Sequence, residues 1–178
     1  AASPLAREGG MERVLVKGIA ARRGCSVQPI YSCFRNMGEL RRAVELRTAD
    51  YMADWLSARL DPSSLFQSTG RAYVQFAQEE PELFKLFALR RREGVSSLEE
   101  LRQKEASPKV AQAIAAQLGL SMEQARRLHL DMLIYTVGLG TIFSVTMPGI
   151  PAQEVFARQE RAYQAFLKQA KEEPGHEE

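Results

Sequence analysis

Two histidines and two cysteines are the whole supply of soft or near-neutral titrating side chains in this 178-residue chain. Cys25 and Cys33 have neither CxxC spacing nor a histidine nearby. Neither a zinc site nor a disulfide framework is therefore expected. His129 has Asp131 beside it but no second ligand at i, i+4 spacing, and His176 lies in the C-terminal tail. No Ser/His/Asp, Cys/His or paired-carboxylate constellation stands out, and acid–base or nucleophilic catalysis needs one. The expectation is no enzyme, no metal and no cofactor. The chemistry on offer is hydrogen bonding from small polar tips beside cations, gathered in one stretch: Lys17, Ser26, Gln28, Pro29, Tyr31, Ser32 and Arg35. A Gln amide can pair with adenine at N6 and N7, and Pro29 can meet a thymine methyl. Lys17 and Tyr31 suit phosphate, with Arg22, Arg41 and Arg42 as helpers.

Such side chains need a rigid mount, and the surrounding pattern supplies one. Residues 16–34 read as two short helices joined by a tight turn. Ile19, Ala20 and Arg23 end the first helix, and Gly24 stands where a left-handed backbone must stop it. Ser26 is placed to cap the second helix. Val27, Ile30 and Phe34 recur at i, i+3, i+7 as a buried stripe. That stripe turns Gln28, Pro29, Ser32 and Arg35 outward. A helix-turn-helix, whose second helix enters the DNA major groove, has this form.

The charge distribution agrees. Residues 1–47 hold nine Lys/Arg against four Asp/Glu, a net of +5, while residues 48–178 hold fifteen against eighteen, a net of −3. A basic nucleic-acid-binding head on an acidic body is the implied organisation, with the boundary at residue 47. The fold class is all-α, because apolar residues recur at three and four between a few Pro/Gly breaks. Residues 5–10 end an earlier helix that Pro4 opens, the first helix of the head being truncated. Asn36 and Glu39 form a capping box for a long helix to about Leu60. Its face is Leu40, Ala43, Val44, Arg47, Tyr51, Trp55 and Leu56. Further helices are expected over 64–79, from Pro81 to Arg90–Arg92, over 97–118 with a break near Pro108, from Ser121, and over 152–171. The tail from Glu172 to Glu178 is expected to be disordered.

The pattern Ile19-Ala20-x-x-x-Gly24-x-Ser26-x-x-x-Ile30-Tyr31-x-x-Phe34-x-Asn36-x-x-x-Leu40 resembles the DNA-binding region of TetR-family transcriptional regulators. The run from Tyr73 to Phe84 also looks like a segment found in many members. The resemblance implies a homodimeric, all-helical regulator of double-stranded DNA, a repressor that a small molecule releases from its operator. The chain departs from the family at Met37, where a phosphate-touching Lys is usual, at Leu15, where a Thr usually caps, and at Gly18. The last costs about 1 kcal/mol relative to Ala inside a helix. The alternative is an all-helical small-molecule-binding or scaffold protein whose head no longer binds DNA, and Met37 and Leu15 keep it open.

Residues 132–147 carry no charge. That run is shorter than the roughly 20 residues of a membrane span, so the helix is read as buried on two sides, by its own core and by a partner copy. The dimer interface is expected at Gly138, Thr141, Ile142, Val145, Phe156, Tyr163 and Phe166. A pocket for a largely apolar ligand is expected among Met52, Trp55, Tyr73, Phe76, Phe84, Phe87, Met132 and Tyr135. The cysteine usage and lack of a signal peptide point to the cytoplasm.

Overall fold

Local signals set the N-terminal helices. In the computed structural model, which describes residues 2–105, 108–146 and 149–172, α1 (Ala2–Gly9) is followed by a short 3-10 turn at Met11–Arg13. Helix α2 (Val16–Arg23) ends at Gly24, whose φ of 65° is left-handed. The Cys25 N–H donates to the Ala20 carbonyl at 3.1 Å and the Gly24 N–H to the Ala21 carbonyl at 3.2 Å. This is the Schellman closure expected of a C-terminal glycine.

Helix α3 (Gln28–Cys33) is shorter than the periodicity predicts. Ser26 does not cap it. Val27 occupies the cap position with helical φ and ψ, no side chain bonds the first turn, and the Val27 carbonyl starts the ladder. The expected stripe also shrinks. Ile30 is buried, Phe34 is half-buried in extended backbone, and Val27 is exposed.

Helix α4 (Met37–Ser57) starts as expected, with Asn36 Oδ1 accepting the Glu39 N–H at 3.0 Å. The return bond differs: Glu39 Oε2 accepts from the Arg35 N–H at 2.9 Å, one residue beyond the cap. The buried face of α4 is Leu40, Val44, Thr48, Met52 and Trp55. Arg47, expected on that face, is exposed, because the four-residue step from Val44 leads to Thr48.

The later helices are α5 (Leu65–Glu79), α6 (Pro81–Ala88), α7 (Leu98–Glu105), α8 (Pro108–Leu118), α9 (Met122–Val145) and α10 (Ala152–Glu172). There is no strand among the described residues, so the fold is all-helical. Ser107, Met147, Pro148 and the tail beyond Glu172, including His176, lie outside the described residues. Pro81 opens α6 where its missing N–H costs nothing. Arg90–Arg92 follow α6 rather than ending it, since the helix stops at Ala88. Ser121 and Gln124 form a reciprocal capping box at the start of α9.

Helix α9 is the central element. Its stripe of Ala125, Leu128, Met132, Thr136, Gly140 and Phe143 is buried against α5, α6, α8 and α10. Counted from its charged first turns, α9 has 24 residues, and by length and composition alone it is long and apolar enough to cross a membrane. The sequence expectation of a shorter run counted only its uncharged part. The opposite face of α9 is open, with Ile134 48%, Ile142 61% and Val145 60% exposed.

Close packing fixes where α9 meets α6. The Phe84 ring lies against Gly140, where a Cβ would stand 2.6 Å from its Cζ. The N-terminal helices are not a separate layer. Ala6, Ile19, Ile30, Leu40 and Val44 share one apolar cluster with Met52, Trp55, Phe76, Leu83 and Phe84. At the seam, Arg7 of α1 pairs with Glu80 at 2.7 Å, and the Tyr51 hydroxyl of α4 donates to Glu80 Oε1 at 3.1 Å.

Candidate nucleic-acid interface and ligand cavity

After the turn at Gly24, α3 rests on α1 and α4 through Ile30 and Pro29, and the sequence-predicted polar residues around it reach solvent. Lys17, Ser26, Gln28, Pro29, Tyr31, Ser32 and Arg35 are all exposed. Tyr31 is 55% exposed, so its hydroxyl stands in solvent. The Ser32 hydroxyl donates to the Gln28 carbonyl at 3.1 Å and stays close to its own helix. Arg35 is only loosely tied, 3.9 Å from Glu39 and nearly all exposed. Pro29 borders a shallow groove with Cys25 and Cys33 beside α4, so part of its ring surface faces inward. Both cysteines are free and exposed. Arg22, by contrast, is held by Glu8 at 2.7 Å.

A cavity of about 340 Å³ opens between α4, α5, α8, α9 and α10, at the small end of the range of about 300–1,000 Å³ usual for small-molecule sites. Leu56 closes it from α4 and Leu60 from the segment after α4, and Val110 and Ile114 close it from α8. Phe66, Gly70 and Tyr73 line it from α5, and His129, Met132 and Thr136 from α9. Helix α10 adds Phe156, Gln159 and Tyr163. Phe66 is the central ring, 5.8 Å from the His129 ring and 6.0 Å from that of Tyr163.

Only Tyr73 and Met132 of the predicted pocket set line this cavity. Met52, Trp55, Phe76 and Phe84 are buried in the apolar cluster on the other side of α5 and α9. Trp55 packs edge-on to Phe76 at 5.3 Å, and the Arg59 guanidinium covers it at 3.5 Å. Phe87 lies against Tyr73 and Arg90, and Tyr135 against Phe166. The correction has a simple cause: helical periodicity marks buried faces, and most buried faces are filled.

The predicted interface set divides as well. Gly138, Ile142 and Val145 lie on the open face of α9, and Thr141 is half-buried beside them, its hydroxyl donating to the Val137 carbonyl at 2.8 Å. Tyr163 is a correction. It is 5% exposed and belongs to the chain's own core. Phe156 lines the cavity, and Phe166 is half-buried.

Most cavity residues escaped sequence reasoning as site residues, among them the polar His129, Thr136 and Gln159. Gln159 Nε2 donates to Thr136 Oγ1 at 3.2 Å, and both residues are buried. Gln159 Oε1 and His129 Nδ1 are buried without a hydrogen-bond partner. Burial, helped by the charge of Arg102, holds the His129 imidazole below its ordinary value of 6.5 and so keeps it neutral. The signal was available, since Thr136 and Gln159 are polar residues within otherwise apolar helical stripes. The carboxylates at the cavity are matched by cations. Glu105 meets Arg90 at 2.6 Å and Arg92 at 3.0 Å, and Glu160 meets Arg71 at 3.5 Å. Among the described residues, no cluster of His, Cys, Asp and Glu is placed to hold a metal ion.

No protein-family model and no curated protein matches the chain.

Proposed function

We propose that the chain is a ligand-responsive, sequence-specific DNA-binding regulator of the TetR type, a repressor that a small molecule releases from its operator. In this reading α1–α3 and the start of α4 are a helix-turn-helix head, and α3 is the recognition helix. The observation that carries it is the exposed presentation of Gln28, Tyr31 and Ser32 on α3 after the closed turn at Gly24. Gln28 reads a base edge, while Lys17, Tyr31 and Arg35 hold phosphates. The cavity among α4, α5, α8, α9 and α10 takes the ligand.

The open face of α9 supports a homodimer, with Ile134, Gly138, Ile142 and Val145 as the self-complementary patch. Two heads would then meet successive major grooves about 34–36 Å apart on a near-palindromic site. Ligand must bind the two head separations unequally to release DNA. The cytoplasm is the compartment that such a role requires.

The test is binding to genomic DNA fragments across a salt series. A steep salt slope with strong preference over random DNA is expected. Gln28→Ala should cost about 1–3 kcal/mol at one base position, and Tyr31→Phe should weaken all sequences alike. Weak binding blind to sequence would favour the rival reading, a small-molecule-binding or scaffold protein with a degenerate head. Met37 and Leu15 are the features on that side, and Leu15 stands at the cap of α2 with no side-chain cap bond.

A further inference from the structure

The cavity's walls and its polar end make different demands on an occupant. The walls are rings and branched aliphatics from five helices, with Phe66 at the centre. Their charged neighbours are already matched, Glu105 by two arginines and Glu160 by Arg71. His129 is kept neutral by burial. A cationic ligand would therefore have to displace an arginine to reach a carboxylate, and the neutral His129 offers an anion no charge.

The polar end is unfinished. Gln159 is 4% exposed and wedged between α9 and α5. On one side its Nε2 donates to Thr136 Oγ1 at 3.2 Å. On the other, Gly70 makes room, since a Cβ there would lie 2.9 Å from the same Nε2. One N–H of the amide is thus engaged, and its acceptor, Oε1, is sealed from water without a partner. Buried acceptors are ordinarily paired, and an unpaired one at a cavity wall is a place where a bound group restores a bond that folding left unmade.

We propose that the cavity takes a compact, neutral, ring-bearing molecule with a single hydrogen-bond donor, a phenol-type hydroxyl or an indole-type N–H, directed at Gln159 Oε1. This rests on the ligand-responsive reading above and specifies its ligand. The rings stack among Phe66, Phe156 and Tyr163. The donor reaches the amide after a small turn of the Gln159 side chain towards the cavity.

The experiment is calorimetric titration of the full chain with 2-naphthol, 2-methoxynaphthalene, naphthalene and protonated 2-naphthylmethylamine. The expected order puts 2-naphthol about ten-fold tighter than 2-methoxynaphthalene, because only the former offers a donor. In Gln159→Met that advantage should fall below about two-fold, while naphthalene binds as it does to the unaltered chain. Gly70→Ala, which crowds the amide without removing it, should reduce the advantage in the same direction. If Gln159→Met does not fold, the ranking on the unaltered chain still decides. Equal binding of naphthol and methoxynaphthalene overturns the proposal, as does tightest binding of the amine or no binding by any probe. Operator binding is measured separately without probe. Probe ranking without DNA binding would leave the ligand class standing and sink the regulator, and DNA binding without the ranking would do the reverse.

Discussion

Gly140→Ala and Gly18→Ala make the same chemical change in two helices, and the structure gives them opposite signs. Inside a helix Ala is favoured over Gly by about 1 kcal/mol, from backbone entropy alone. At Gly18 of α2 a Cβ would meet Leu5 Cδ1 at 3.5 Å, an ordinary contact, so the gain should be realised. At Gly140 of α9 the Cβ would stand 2.6, 3.1 and 3.2 Å from three atoms of the Phe84 ring. Carbon atoms rest at about 3.5–4.0 Å, so the ring must retreat by roughly 1 Å. Phe84 is 0% exposed and has no solvent side to retreat to. Overpacking of this kind costs about 1–3 kcal/mol, and the closed site puts the cost in the upper half of that range. After the helix gain is subtracted, a net loss of about 1–2 kcal/mol remains for Gly140→Ala. In thermal unfolding at fixed protein concentration this lowers Tm by about 2–8 °C, while Gly18→Ala raises it by about 2–4 °C. A double-mutant cycle separates strain from helix propensity. In a Phe84→Leu background, Gly140→Ala should become neutral or stabilising. The reasoning fails if Gly140→Ala is as stable as the unaltered protein. It also fails if the substitution costs the same in both backgrounds.

Three further outcomes follow. Ile142→Arg places a charge on the open apolar face of α9, and sedimentation should show dimer giving way to monomer with helix content unchanged; deleting α10 is no substitute, because Val155, Gln159, Tyr163 and Ala170 belong to the chain's own core. The folded His129 binds protons less readily than the unfolded one, so its contribution to stability is complete above the ordinary value of 6.5 and lost as pH falls from there through the lower folded value. In urea unfolding, His129→Gln should therefore flatten the stability decline over that window by at most about 1.4 kcal/mol per pH unit, and an unchanged slope would refute the assignment. Glu80→Gln removes the charge that joins Arg7 and Tyr51. A loss of about 1 kcal/mol should speed hydrogen exchange in α1 about five-fold without changing probe binding in the cavity.

Most of the helices were legible because their signals are local. Gly24, Asn36, Pro81 and the stripe Val155, Gln159, Tyr163, Ala170 each need only near neighbours to be interpreted. Helix α3 was harder, since its start depends on the Val27 carbonyl rather than on a side chain, and the plausible cap at Ser26 is not used. The exposed polar set of α3 followed from one buried residue, Ile30, with little help from its neighbours. The cavity was mostly illegible. It is made from helices far apart in sequence, and apolar periodicity cannot tell a filled face from a hollow one. Trp55 and Phe76 satisfy the pattern by packing on each other, whereas Phe66 satisfies it by facing the gap. The polar exceptions Thr136 and Gln159 carried the information, because a polar side chain in an apolar stripe needs a partner.

If the cavity and α3 communicate, two packed routes join them. One is α4, which carries Ala53 and Leu56 at the cavity and holds Leu40 and Val44 in the cluster that includes Ile30. With 21 residues it is a lever about 30 Å long, so a small tilt at one end is a displacement at the other. The second runs from Met132 and Thr136 along α9 to Gly140, across to Phe84, and through α6 to α1 beside Glu80. The routes differ in packing. The Phe84–Gly140 contact leaves no room for an added methyl, so a shift of α9 towards α6 must be met by the Phe84 ring. Helix α4 has Thr48 buried at mid-length with its hydroxyl unpaired, in an otherwise apolar face. Thr136 also ties Gln159 to α9 rather than to α4. A donor that draws the Gln159 amide towards the cavity therefore pulls first on α9. The tight contact at Gly140 then makes α6 and α1 the elements through which occupancy would reach the surface of α3 that we propose meets DNA.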